Sequence, residues 1–353
     1  MGVNEKSFGT SHALAVKLHD AESAKVYRRA AQLEFFKVNG LMSKDQNKPI
    51  VTTDAFQKAS GDRVTKAFVR KPSNDGLTEE QVNLDKASGL TNYTQNTTLT
   101  RRIELIAVPA PSTLSVQRIQ MDLPFEAREY LAAWMADFKD RKIFNALSTS
   151  PTDIYYYVSG TFTHTATLAT AKTAITATDL FEPELLDAAV GMLKDRRVPG
   201  INVNGKMMYI AILSNESLFD LRRNAEWTQA QREANVRGES NPIFCGAEGK
   251  WNNCIVYSHD SIVTGTDAGS GSNVEYSQNL VMGAQAALWA DGSPQPIEII
   301  PNNQKANEEI VFKAAVMYGV TKAQFNSEDL SLVTLMNAHT ANLNFASALK
   351  ETG

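Results

Sequence analysis

Apolar positions recur at helical spacing between residues 20 and 40, lose that spacing between 43 and 120, and recover it from residue 124. In the first stretch Asp20 or Ser23 can cap a helix with Val26, Tyr27, Ala30, Leu33 and Phe36 near one face, and Gly40 supplies a stop. Residues 1–19 are polar and weakly patterned and read as an arm. From 43 to 120 Thr, Asn, Ser, Lys and Gly dominate. Two strand-like pieces, Arg63–Arg70 and Thr97–Val108, flank a turn-rich insert containing Pro72, Asp75-Gly76 and Ser88-Gly89. The simplest construction is a long two-stranded hairpin. Such a hairpin is marginally stable alone in water, so it needs a neighbour to rest on.

Residues 124–148 carry the strongest helical signal. Pro124 marks its start, and Glu126 and Glu129 suit the positive end of the helix dipole. Leu131, Trp134, Met135 and Phe138 form an i, i+3, i+4, i+7 stripe. At 1.5 Å per residue the rod is about 37 Å long. A second helix is predicted after Asp179 and Glu182, which have capping-box spacing; Pro183 fits its first turn, Leu185, Leu186, Ala189 and Leu193 form its face, and Val198-Pro199-Gly200 stops it. Strands are expected at Tyr155–Tyr157, Met207–Leu213 and Cys254–Ser258. Later strands follow at Pro296–Ile300 and at Glu309–Val320, where Ile310, Phe312, Ala314, Val316 and Tyr318 share a face. Ser214 and Asn215 form a turn into a short helix around Leu218–Arg222, before Trp227. Thr264–Asn273 reads as an exposed flexible loop, and Leu280–Trp289 as a buried run of ambiguous type. The fold class is α+β.

Composition narrows the chemistry. The chain is 43% hydrophobic with a net charge of -4, which disfavours a protein built to neutralise phosphates. The two cysteines, Cys245 and Cys254, have no ligand-spaced neighbours and read as reduced thiols. No apolar run approaches the ~20 residues of a membrane span. The N-terminus lacks a secretory h-region, and Lys6 stands where myristoylation wants Ser or Thr. His12, His19, His164, His259 and His339 are scattered, with no HExxH pair, GxSxG elbow or Walker loop. Gly265, Gly269 and Gly271 lack the strand-to-helix context of a phosphate site. No catalytic residue, cofactor site or metal ligand is expected.

Three segments carry a resemblance. Leu123–Leu147 (LPFEAREYLAAWMADFKDRKIFNAL) resembles the spine helix of tailed-bacteriophage major capsid proteins of the N4-like podophage family. Asn241-Pro242-Ile243-Phe244 with Gly246 and Gly249 resembles that family's NPxFxGxxG signature, and Gly283–Ala286 its GAQA segment. Trp251-Asn252-Asn253-Cys254 departs from the Tyr-Asn-Gly turn expected there. The likeness spans about residues 20–320. It implies the HK97-like capsid fold: an N-terminal arm with helix (1–42), an E-loop with adjoining P-domain strands (43–120), the spine helix and P-domain (121–178), an A-domain (179–300), and P-domain return strands with a C-terminal tail (301–353).

The implied function is the coat of an icosahedral head, built from hexamers and pentamers in the host bacterial cytoplasm and ending in the virion. Its implied partners are a scaffolding protein, a portal, a decoration protein and packaged double-stranded DNA held without sequence-specific contacts; no membrane is implied. Arg63, Lys66, Phe68, Arg70, Leu99 and Arg101 are the expected inter-subunit residues of the E-loop. Phe68, Val69, Leu99, Ile103 and Leu105 are too apolar for a freely solvated loop. Asn241, Pro242, Phe244, Gly246, Trp134 and Phe138 are expected to be structural: an ordered turn plugging the A-domain core and a packed helix stripe, not a ligand loop or cofactor slot. Two alternatives stay open: an encapsulin-like shell that cages cargo without a scaffold, and a soluble α+β enzyme.

Overall fold

The computed structural model describes residues 26, 28–54, 63–69, 92–109, 123–158, 160–203, 205–233, 248–293, 297–301 and 309–340. The first predicted helix is interrupted. Residues 28–33 are helical, Glu34 is extended, and a short helix α1 (Phe35–Val38) follows before Gly40 turns the chain at a φ of +65°. Strands β1 (Met42–Ser43) and β2 (Ile50–Thr53) come next, then β3 (Arg63–Val69), β4 (Asn92–Thr98) and β5 (Thr100–Pro109). The long helix α2 (Leu123–Ser148) coincides with its sequence signal. It leads to β6 (Ile154–Val158), β7 (Thr161–Thr165), α3 (Leu168–Ala174), α4 (Pro183–Asp195), β8 (Ile201–Val203), β9 (Lys206–Leu213), α5 (Asn215–Arg223) and α6 (Ala225–Glu233). The remainder is strands: β10 (Gly249–Trp251), β11 (Cys254–Ser258), β12 (Thr264–Ala268), β13 (Val274–Met282), β14 (Ala287–Asp291), β15 (Glu298–Pro301), β16 (Glu309–Lys322), β17 (Gln324–Phe325), β18 (Glu328–Asp329) and β19 (Leu332–Ala338).

Two sheets organise the described residues. The nine-stranded sheet runs β10-β11-β9-β13-β19-β6-β7, with β8 on β9 and β12 on β13. Its central strands are covered on both faces, which is why Met208–Leu213 and Leu332–Ala338 are continuous buried runs rather than alternating ones. One face meets α4 and α5 through Leu185, Leu186, Ala189, Leu193 and Leu221. The other shares a core with α2 and the second sheet. That six-stranded sheet runs β1-β2-β14-β16-β15, with β5 on the free side of β16. Helix α2 packs on β16, β5 and β14 and also touches β13, so one helix spans both sheets. The sheets cross chain segments: β14 joins the smaller sheet, whereas β6, β7 and β19 join the larger.

Four expectations are corrected. The hairpin partner of β3 is β4, in register from Arg63↔Thr98 to Val69↔Asn92, and not the whole of Thr97–Val108. That predicted strand breaks at Leu99, and residues 100–109 pair along β16 from Thr100↔Tyr318 to Pro109↔Glu309, because the fourteen-residue β16 offers a ten-residue edge. Thr264–Asn273 is not a loop throughout. Thr264–Ala268 is β12, whose Gly265 lies under the Tyr276 ring, leaving 269–273 as the turn. Asp179 does not cap α4. Its carboxylate accepts from the Thr176 N–H at 2.8 Å and hydroxyl at 2.7 Å, and Glu182 takes the cap position without a side-chain bond. The ambiguous run 280–289 is the end of β13, a bend and the start of β14. At the bend a Cβ on Gly283 would come within 2.6 Å of Val198.

Candidate functional site

The hairpin leaves the smaller sheet at Leu99. Thr65 donates its hydroxyl to Asn96 Oδ1 across the strands at 2.7 Å, and at the base Thr97 and Thr321 share a hydroxyl hydrogen bond of 2.7 Å. Arg63 and Arg101 are exposed at this base and Leu99 is half-buried between them. Lys66 and Phe68 lie on β3 opposite Gln95 and Tyr93. Arg70 lies outside the described residues. The structure thus gathers Arg63, Leu99 and Arg101 where β4 becomes β5, and places Lys66 and Phe68 out along the hairpin.

An apolar surface adjoins that base. Strand residues two apart share a face. Ile106, Val108, Phe312 and Ala314 therefore face the core, while Ile103, Leu105 and Ala107 of β5, Val311 of β16 and Ile300 of β15 lie on the opposite face. That face is open: Ile103 is 44% exposed, Leu105 58% and Ile300 41%. A Lys313–Glu298 ion pair at 2.7 Å crosses it. Sequence periodicity marked Ile103 and Leu105 as too apolar to be solvated but assigned them to the hairpin. Ile300 ends the strand expected at Pro296–Ile300, where three isoleucines in four residues give no alternation to mark an exposed face.

Trp134 and Phe138 behave as a packed stripe. Their rings stack at 5.3 Å, Phe138 meets Tyr318 edge-on at 5.2 Å, and Tyr318 stacks on Trp289 at 5.2 Å. This ladder runs from α2 to the smaller sheet. Asn241, Pro242, Phe244 and Gly246 lie outside the described residues. Their flanks are described: Trp227 of α6 stacks on Trp251 at 5.9 Å, and Gly249 is so close that a Cβ would fall 2.7 Å from the Trp227 ring. The Trp251–Cys254 turn is pinned by Asp187 of α4, which accepts from Trp251 Nε1 at 3.1 Å and Asn252 Nδ2 at 2.6 Å.

The polar interior is built for cohesion. Ser214 caps α5, and with Ser217, Ser277, Asn279 and Asn337 it forms a buried network in which the side chains serve one another. At the junction of the two sheets Arg196 pairs with buried Asp153 and donates to the Asp329 carbonyl, while Lys322 donates to Asp329 at 2.8 Å and to the Ser150 carbonyl at 2.8 Å. Cys254 is enclosed, and burial pushes its thiol up to about 12, which disfavours a thiolate nucleophile. Among the described residues no group of three or more His, Cys, Asp or Glu is placed to hold a metal ion, and no helix is long and apolar enough to cross a membrane.

Comparison with solved structures places this architecture. The capsid of Ralstonia phage GP4 superposes with a TM-score of 0.69 at 20% identity, covering 88% of this chain and 92% of that one. The cyanophage Pam1 capsid gives 0.67 at 18%, covering 86% and 92%. The capsid of Helicobacter pylori bacteriophage KHP30 gives 0.62 at 15%, covering 85% and 90%. These likenesses establish the HK97-like capsid fold. Sequence comparison with curated proteins finds no match. A family model described as phage capsid protein matches residues 13–339, nearly the whole described fold, and the chain belongs to that family.

Proposed function

We propose that this chain is the major capsid protein of a tailed bacteriophage, assembling into hexamers and pentamers of an icosahedral head. The family match over residues 13–339 carries the reading. Two surface features support it. The β3–β4 hairpin pairs only with itself among the described residues, apart from its foot at Thr97, and a bare hairpin is marginal in water. The open face of Ile103, Leu105 and Ile300 is an apolar patch of the kind that marks an interaction surface. A second copy supplies both needs: its hairpin covers this face, with Arg63 and Arg101 at the rim. Repetition around closed symmetry turns such contacts into a strong lattice.

In this reading the segments 43–120, 121–178 and 301–353 contribute E-loop, spine helix and P-domain, and 179–300 the A-domain. A scaffolding protein, a portal and a decoration protein are the expected partners, packaged DNA lies nearby without sequence-specific contacts, assembly takes place in the host cytoplasm, and no catalysis is involved. The Asn241–Gly249 and Gly283–Ala286 motifs support placement beside the N4-like podophages.

Electron microscopy of the chain co-expressed with its neighbouring reading frames tests the function. Icosahedral shells with capsomer texture are expected; small discrete particles alone would overturn the reading. Cages formed by the chain without any scaffold would favour the encapsulin-like alternative. The face is tested by Ile103→Asp with Leu105→Asp. Because both side chains are already largely exposed, the subunit should keep its stability within about 0.5 kcal/mol. Shells should nevertheless be lost, since a carboxylate would be buried without a partner. A double variant that still assembles would remove this face from the interface.

A further inference from the structure

Asp140 lies on α2, is 5% exposed, and has no part in the assembly surfaces above. Its Oδ2 accepts the Phe35 backbone N–H at 2.7 Å, and the Phe36 N–H is a second donor. These amides open α1, whose own preceding residue, Glu34, supplies no side-chain cap. Glu34 turns away to Lys139 of α2 at 2.8 Å. One helix thus fastens the segment before it in space through a buried carboxyl.

The rings of the fastened segment are held from both sides. Phe36 packs on Phe144 of α2 at 4.9 Å between ring centres, and Phe35 meets His259, at the end of β11, at 4.5 Å. His259 stacks in turn on Phe144 at 4.6 Å, and its Nδ1 lies 3.0 Å from the Ser261 amide nitrogen and 3.1 Å from Asp260 Oδ1. The charged groups facing the cluster are Glu34 from the arm, Asp137, Lys139 and Arg141 from α2, with Arg141 paired to Asp137 at 2.8 Å, and Asp260 beside His259.

We propose that Asp140 is a titrating latch: its buried carboxyl, bonded to the Phe35 amide, ties residues 34–41 to the long helix more tightly when protonated, and the tie loosens as the carboxyl ionises. The sign follows from burial. Desolvation, outweighing the two amide bonds, raises the Asp140 carboxyl from 3.8 to about 7. The docked segment therefore holds the proton more strongly than the released one. Its added stability is complete below the free value near 3.8 and is lost as pH rises through about 7. A protonated carboxyl still offers its carbonyl oxygen to the Phe35 amide. His259 works in the opposite sense, because burial lowers its value; it opposes docking only as pH falls below the usual imidazole range.

The test is amide hydrogen exchange on the purified full-length chain, followed in peptides covering 28–41 and corrected for the intrinsic pH dependence of exchange, with Leu332–Ala338 as reference. Asp140→Asn keeps an acceptor oxygen and removes the titration. Between pH 6 and pH 8 the wild-type segment should lose about tenfold more protection than the Asp140→Asn segment, whatever His259 contributes to both. Equal pH profiles in the two proteins would overturn the latch. If Asp140→Asn does not fold, a wild-type profile for 28–41 parallel to that of the reference strand would overturn it equally. The measurement uses unassembled chain, so its failure is distinct from a failure to form shells.

Discussion

Replacing Lys322 with methionine is expected to lower the unfolding free energy by about 3–5 kcal/mol. Lys322 ends β16 and its side chain is 10% exposed; that of Asp329, its partner, is 1% exposed. Methionine keeps most of the aliphatic stem but removes the ammonium. Among the described residues the Asp329 carboxylate would then keep as donors the Thr152 N–H at 3.1 Å and Gln324 Nε2 at 3.2 Å, with Arg196 held at the Asp329 carbonyl rather than at the carboxylate. The Ser150 carbonyl would lose its donor as well. The cost is large because charges removed from water are tolerable only when paired, and breaking one side of a buried pair leaves the desolvation of the other uncompensated. Urea unfolding of the unassembled subunit should show a lowered midpoint at unchanged slope. Adding Asp329→Leu should recover part of the loss, since an apolar pair no longer buries a lone charge; the Thr152 amide would still lack its acceptor. A loss below about 1 kcal/mol would mean that the hub is effectively solvated.

Phe144→Ala is the second large effect, again about 3–5 kcal/mol. The ring is 1% exposed and stands where three elements meet, against Phe36 at 4.9 Å, Phe35 at 6.1 Å and His259 at 4.6 Å. Truncation removes the apolar contact area and leaves a void that the rigid helix cannot close, because its neighbours Ile143 and Leu147 are themselves fully buried. The loss should appear twice: in the denaturation midpoint, and as earlier exchange of the 28–41 amides, whose anchor is gone. Val38→Ala, at a position 62% exposed, is the control and should change stability by less than about 0.5 kcal/mol. A Phe144→Ala subunit as stable as that control would show that α1 does not depend on this core.

The candidate surface was only partly legible in sequence. The apolar character of Ile103 and Leu105 was plain, and so was the need of the hairpin for support. What the pattern could not say is that these two residues stand on a body strand, because a period-two repeat assigns a residue to a face without naming the sheet. Leu99 illustrates the point: nothing local distinguishes it from its neighbours, yet the strand divides there, the residues before it pairing with β3 and those after it with β16. The lysine–aspartate hub was invisible, since Asp153 precedes β6, Arg196 follows α4, Lys322 ends β16 and Asp329 lies on β18, all distant from one another in sequence except the last two.

By itself the sequence determined α2, α4, β9 and β16. Their signals come from a backbone repeat of 3.6 or two residues and from side chains within one element, so no distant contact is needed to read them. Its motifs also carried the capsid resemblance. Only the tertiary structure decided the partner of β3, the membership of β19 and β12 in the larger sheet, the passage of β14 to the smaller one, and the exposure of Ile103, Leu105 and Ile300. Those outcomes depend on which strand edges close around α2, a competition among segments distant in the chain that no local pattern records.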